Sequence, residues 1–102
     1  MSSISRHIKK LLKTRWSYCK PIEINNGNCD WFALDIADKF PEGESVWGDD
    51  IEEMFNSNDE AWGHCFFVYK GKYYDSECPK GVDHPTKLPF YIRIRKELKK
   101  VA

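Results

Sequence analysis

Asn25-Asn26-Gly27-Asn28 sets three asparagines and a glycine directly before an apolar-periodic run, and this junction constrains the fold more than any other stretch. Asn and Gly tolerate positive φ, and Asn side chains bond nearby backbone, so the four residues read as a turn. Apolar residues then recur at Cys29, Ala33, Ile36, Ala37 and Phe40, which places them on one helical face. The spacing predicts a helix that opens at Cys29, with Asn28 as N-cap. It ends near Phe40, because a residue before proline is biased out of the helical region and Pro41 follows. Cys29 therefore falls in the first turn, on the inward face. Backbone N–H groups there lack helical partners and the dipole is positive, which favours a thiolate. A free cysteine is also a common core filler, so this stretch alone leaves a structural role open.

A second block, Ala61 to Glu77, reads as a β-hairpin. Aromatic and β-branched residues flank Lys70-Gly71. With Lys70 and Gly71 as the turn, Tyr69 faces Lys72, Val68 faces Tyr73, Phe66 faces Asp75 and His64 faces Glu77. Trp62, His64, Phe66 and Val68 then share a face with Tyr73, Asp75 and Glu77. His64 and Asp75 become diagonal neighbours, close enough to bridge, with Glu77 as the competing carboxylate. A slip of one residue would move both carboxylates to the other face.

The remaining chain supports a single domain over residues 1–102. With 41% hydrophobic residues and 15% aromatics, the composition can build a core and is not that of a disordered chain. Residues 3–18 read as a basic amphipathic helix, with Ile4, Ile8, Leu11, Leu12 and Trp16 on one face; docking on a core is favoured over binding a membrane. Pro21 ends any continuation, and Ile22–Ile24 read as an extended lead into the turn. Ser45–Gly48 reads as a short strand, Ile51–Phe55 as a short helix capped by Asp49 or Asp50, and Asn56–Asp59 as a loop. Pro79 to Pro89 reads as loop. Phe90, Ile92 and Ile94 alternate with Tyr91, Arg93 and Arg95, which predicts a strand, followed by a charged tail or short helix. The net charge is zero but segregated: six basic residues and no acid in 1–20, and fourteen acids against three lysines in 21–79. Seven basic residues in 80–102 face only Asp83 and Glu97. The basic ends are expected to pack near the acidic segment and balance it.

Cysteine attacks an acyl carbon as the thiolate, assisted by a base whose tautomer a third group fixes. Cys29, His64 and Asp75 supply these types in order. An oxyanion would meet the Cys29 backbone N–H, with an Asn25, Asn26 or Asn28 amide as second donor. Trp31, Trp47 and Trp62 are candidates to line a substrate cleft. The arrangement resembles the papain-like cysteine hydrolase superfamily, and within it the small transglutaminase-like and NlpC/P60-like cores. The matching runs are Gly27-Asn28-Cys29-Asp30-Trp31-Phe32-Ala33, Gly63-His64-Cys65-Phe66-Phe67-Val68 and Gly71-Lys72-Tyr73-Tyr74-Asp75. The last two look most like the transglutaminase-like branch. Two features depart from the pattern: no glutamine stands a few residues before Cys29, and only 35 residues separate Cys29 from His64. The resemblance covers about residues 25–76 and implies an α+β minimal core, with the Cys29 helix packed on an antiparallel sheet; the core is expected over residues 25–95, plus the N-terminal helix. It implies a cysteine-dependent hydrolase or acyltransferase acting on an amide, isopeptide or thioester, with no cofactor.

Other classes remain in view. A non-catalytic protein-binding module on the same fold, such as a small viral or mobile-element effector, would use the surface tryptophans. Zinc would need ligands from Cys29, His64, Cys65, Cys78 and His84, yet no C-x₂-C or H-x₃₋₅-H spacing is present. Nucleic acid could meet the basic ends, Arg6–Lys20 and Arg93–Lys100, but no nucleic-acid motif accompanies them. The expected partner is a protein or peptide. The acidic middle would favour a basic or amine-bearing substrate. The chain has no run of about 18 apolar residues, no secretory leader and no disulfide-type cysteine spacing; a cytoplasmic protein with reduced thiols is expected.

Overall fold

The computed structural model describes residues 2–101. Its helices are α1 (Ser3–Lys13), α2 (Pro21–Asn25), α3 (Cys29–Lys39), α4 (Asn58–Ala61) and α5 (Pro89–Val101). Its strands are β1 (Glu44–Trp47), β2 (Cys65–Tyr69), β3 (Lys72–Asp75) and β4 (Cys78–Val82), with 3₁₀ turns at Gly48–Met54 and Pro85–Lys87. The fold is α+β, with one four-stranded antiparallel sheet in the order β1-β2-β3-β4.

The turn between β2 and β3 sets the register. Lys70 and Gly71 have φ of 49° and 77°. Positive φ at both central residues is what a type I′ turn needs, and its twist matches that of the flanking strands. Tyr69 pairs with Lys72, Val68 with Tyr73 and Phe67 with Tyr74, as the sequence predicts. Alternation then divides the sheet's two faces. Phe67 and Tyr74 join Ile4, Ile8 and Leu11 of α1 and Phe32 and Ile36 of α3 in one core cluster. Phe66, Val68 and Tyr73 turn the other way and pack with Phe55, Ala61, Leu88 and Tyr91. The sheet thus lies between two layers, and α3 crosses it from the end where β2 begins.

Several local expectations are corrected. The first helix stops at Lys13, where the Thr14 N–H bonds back to the Lys10 and Leu11 carbonyls. Trp16 still reaches the core, through a turn, and its Nε1–H donates to Asp35 Oδ2 at 2.7 Å. Residues 21–25 form α2 instead of an extended lead: Pro21 occupies the first helical position, where its fixed φ fits, and the Lys20 N–H donates to Glu23 Oε1 at 2.9 Å. The expected short helix over Ile51–Phe55 is 3₁₀ and starts earlier: Gly48–Met54 is entered through Trp47 and kinks at Ile51. Asn58–Ala61 is a helical turn entered through Ser57, and β4 occupies part of the expected loop. The largest correction is α5. Phe90–Arg95 is helix, not strand: Tyr91 is fully buried while Ile92 is 39% exposed. Six alternating residues cannot separate the two periods. Pro89 opens this helix, and Arg, Lys, Glu and Leu prolong it.

The segregated charges meet across the fold. Arg15 pairs with Asp35, Arg93 with Glu77 and Arg95 with Glu60, each joining a basic end to the acidic middle. Among the described residues no helix is long and apolar enough to cross a membrane.

Gly48 marks the tightest point between the layers. A Cβ there would collide with the Tyr91 hydroxyl and the Ala61 carbonyl. Gly48→Ala is therefore predicted to destabilise the fold by about 1–3 kcal/mol, the usual cost of overpacking. Urea denaturation reads this as a lower midpoint with an unchanged m-value.

Candidate active site

Three chain segments converge where β2 begins: the N-terminus of α3, the start of β2 and the end of β3. Cys29 is the first residue of α3, with Asn28 as its N-cap. The Asn28 side chain makes no capping hydrogen bond, so the expected Asn28 position holds without the expected bond. Cys29 is 7% exposed and packs with Ala33 and Cys65. The Cys65 N–H points at its sulfur, 3.4 Å away.

His64 precedes β2 and is completely buried. Its Nε2 lies 3.0 Å from Asp75 Oδ2, and Asp75 is 3% exposed. A carboxylate only accepts, so Nε2 carries the proton of this bond. Asp75 Oδ1 accepts from the Glu77 N–H at 2.9 Å, which fixes the carboxylate's second oxygen. That leaves Nδ1, buried and bonded to no other group, as the nitrogen through which His64 interacts with Cys29. Phe90 of α5 stacks on the imidazole with centroids 4.0 Å apart and planes within 14°. The ring is thus held on its flat side as well as at Nε2.

The electrostatics separate two neighbouring cysteines. Burial alone would push the Cys29 thiol up, but interaction with the His64 side chain, the Cys65 N–H and the imidazolium charge outweigh it. The Cys29 thiol therefore lies below its ordinary value. Burial and the nearby Cys29 charge push Cys65 up to about 12, so Cys65 stays protonated. Burial opposes a charged His64, yet Asp75 and Cys29 together raise it above the ordinary imidazole value. Thiol down and imidazole up is the direction that favours a thiolate–imidazolium pair.

The other expected site residues separate. Glu77 is not the hydrogen-bond partner of His64. The β2–β3 pairing ends with Phe67 opposite Tyr74, and Glu77 lies in the turn between β3 and β4. Glu77 instead takes both guanidinium nitrogens of Arg93, at 2.6 and 2.7 Å, and a 2.9 Å bond from Asn25 Nδ2. Burial would raise its carboxyl, but Arg93 and Asn25 hold it below the ordinary value. Asn25, Asn26, Gly27, Cys29, Asp30, Trp47, Gly63 and Phe90 surround a cleft of about 380 Å³. Trp31 and Trp62 do not line it; they stand 62% and 74% exposed on the surface. Asn25 is 3% exposed and its Oδ1 is buried without a partner. A larger groove beside Lys9, Lys13 and Pro21 is lined by neither Cys29 nor His64.

Phe90 and Arg93 belong to the site but do not stand out in the sequence, because their segment also fits the strand period. The usable signal is Pro89 followed by helix-forming residues. All four cysteines are free, and among the described residues no group of three His, Cys, Asp or Glu side chains could hold a metal ion. No family model matches the chain, and no curated protein or solved structure matches it.

Asp75 is predicted to control the protonation of His64. With Asp75→Asn, burial dominates and the His64 pKa falls below its wild-type value, as an NMR titration of the ring would record. The stability effect has a definite sign. The folded-state pKa of His64 exceeds the unfolded value of about 6.5, so the proton-linked stabilisation is complete below that pH. It is lost as pH rises through the folded value. Urea midpoints of wild type and Asp75→Asn are expected to converge across that window.

Proposed function

We propose that the chain is a cysteine-dependent hydrolase or acyltransferase built on a papain-like minimal core, with Cys29 as nucleophile, His64 as general base and acid, and Asp75 as the residue that orients His64. The observation that carries this reading is the division of the two imidazole nitrogens. Nε2 is committed to a buried carboxylate, which leaves Nδ1 for the interaction between His64 and Cys29, the thiol at a helix N-terminus.

The chemistry follows in two steps. The Cys29 thiolate attacks the carbonyl carbon of an amide, isopeptide or thioester. The tetrahedral oxyanion meets the Cys29 N–H, which has no helical acceptor in the first turn. Asn25 Nδ2 gives one hydrogen to Glu77 and retains a second at the cleft wall. His64 Nδ1 passes its proton to the leaving amine or thiolate, and the acyl group stays on sulfur. Water or an amine then gives a proton to Nδ1 as it attacks the thioester, and Cys29 is released. Asp75 keeps its bond to Nε2–H throughout and stabilises the imidazolium, so no proton passes to the carboxylate.

A second reading has its own observation. Trp31, Leu34 and Trp62 are 62%, 47% and 74% exposed, and such side chains suit a protein-binding surface. Under that reading Cys29→Ala leaves the protein's activity intact.

Reaction with p-nitrophenyl acetate as acyl donor, followed by intact mass and peptide mapping, tests the role of Cys29. An acetyl adduct on Cys29 is expected to form ahead of any on the half-buried Cys19 and Cys78. His64→Ala is predicted to slow it by about 10²–10⁴-fold, the usual contribution of a general base. Adducts spread evenly over the cysteines, or unchanged by His64→Ala, would overturn the reading.

A further inference from the structure

The Cys29 cleft adjoins a second groove. Asn26 and Phe90 wall both, and the second groove runs along α5 past Arg93, Ile94, Lys96, Glu97 and Lys100. Positions 90, 93, 94, 97 and 100 recur at helical spacing and so present one face of α5. Phe90 and Ile94 supply apolar surface, and the bases outnumber the single acid. Their charges are not equally committed. Arg93 is held by Glu77, and Lys100 reaches Glu97 at 3.2 Å within its own helix. Lys96 pairs with no carboxylate among the described residues.

The Cys29 cleft, on the other side of Asn26 and Phe90, has the opposite sign. Asp30 lines the cleft, and no base does. Asp49 accepts from the Gly63 N–H at the cleft wall, and Asp30 and Asp50 both act electrostatically on Cys65. The two adjoining grooves therefore differ in charge: acidic around the thiol, and carrying an excess of base along α5 with Lys96 uncommitted. The acidic middle of the sequence supplies the first half of this pattern; the second half exists only because the C-terminal segment is a helix laid beside the cleft.

We propose that the α5 groove is a subsite for an acidic segment of a polypeptide substrate whose acyl group is presented to Cys29. This deepens the acyl-transfer reading and rests on it for the role of Cys29. A polypeptide fits better than a nucleic acid, because a phosphate backbone leaving the groove would run into the carboxylates around the cleft. A peptide can carry acidic residues on the α5 side alone. Its side chains meet the lysines, and its apolar atoms meet Phe90 and Ile94.

The test uses the full chain and three fluorescein-labelled probes: an alternating Glu-Ala peptide, its Lys-Ala counterpart and a thymidine oligonucleotide of equal length. Fluorescence anisotropy reads binding, and iodoacetamide alkylation of Cys29 reads occupancy next to the thiol. The Glu-Ala peptide is expected to bind, to weaken as salt rises, and to slow alkylation of Cys29. The double variant Lys96→Glu/Lys100→Glu is expected to lose at least about tenfold in affinity, with a smaller loss for the neutral Lys96→Gln/Lys100→Gln pair. The latter keeps the test valid if charge reversal perturbs α5. Equal binding of the Glu and Lys peptides, tighter binding of the oligonucleotide, indifference to both double variants, or peptide binding without protection of Cys29 would each overturn the subsite. The two readings fail separately. A Cys29 no more reactive than Cys19, with lysine-dependent peptide binding intact, would remove the acyl-transfer reading and keep the groove. A reactive Cys29 blind to peptide charge would do the reverse.

Discussion

A buried imidazole and a buried carboxylate are each costly without a partner; hydrogen-bonded to each other, they become tolerable. His64 and Asp75 are such a pair, 0% and 3% exposed and 3.0 Å apart. The surrounding structure keeps them in place. The Lys70-Gly71 turn sets the strand register that brings Asp75 back towards His64. Phe90 closes the flat side of the ring, and the Glu77 N–H occupies the second oxygen of Asp75. Glu77 in turn ties Asn25 to Arg93, so α5 is joined both to the cleft wall and to the end of β3. One polar pair thus makes demands on chain segments from α2 to α5.

The contrast between Cys29 and Cys65 shows what position adds to residue type. Both are buried, and they pack against each other. Cys29 has the helix N-terminus, the Cys65 N–H and His64, and its thiol is lowered. Cys65 sits in a strand with no such partners, and the charge on Cys29 raises it further. The same arrangement that activates one thiol protects its neighbour. A cysteine that merely filled the core would show the second behaviour.

Much of this is legible in the sequence because it depends on local rules. A turn of Asn and Gly before a 3.6-period run marks the start of α3, and the two-residue loop at Lys70-Gly71 dictates the pairing of β2 with β3. His64 beside Asp75 follows from that pairing. The rest depends on contacts between distant segments. Extending the ladder places Glu77 opposite His64, but the β2–β3 pairing ends at Phe67 and Tyr74, and Glu77, in the turn that follows β3, pairs with Arg93, which no hairpin rule contains. Asn25 can be named from sequence as a cleft amide but not as a ligand of Glu77 across 52 positions. The stretch from Phe90 to Arg95 satisfies the strand period and the helix period alike, and burial of Tyr91 against Phe55 and Phe66 decides for the helix. Trp31 and Trp62 carry an aromatic signal with no indication of which face will hold them.

The thiolate–imidazolium pair is the central claim, and the pH dependence of Cys29 alkylation reads it most directly. The rate should be followed by peptide mapping in wild type and His64→Ala, with a free cysteine peptide as the standard. An ordinary thiol titrates near pH 8.5. The wild-type Cys29 profile is expected to lie below that of the free peptide, and His64→Ala is expected to move it up to that of the free peptide or higher. A wild-type Cys29 profile no lower than that of the free peptide, and unchanged by the loss of His64, would contradict the pair.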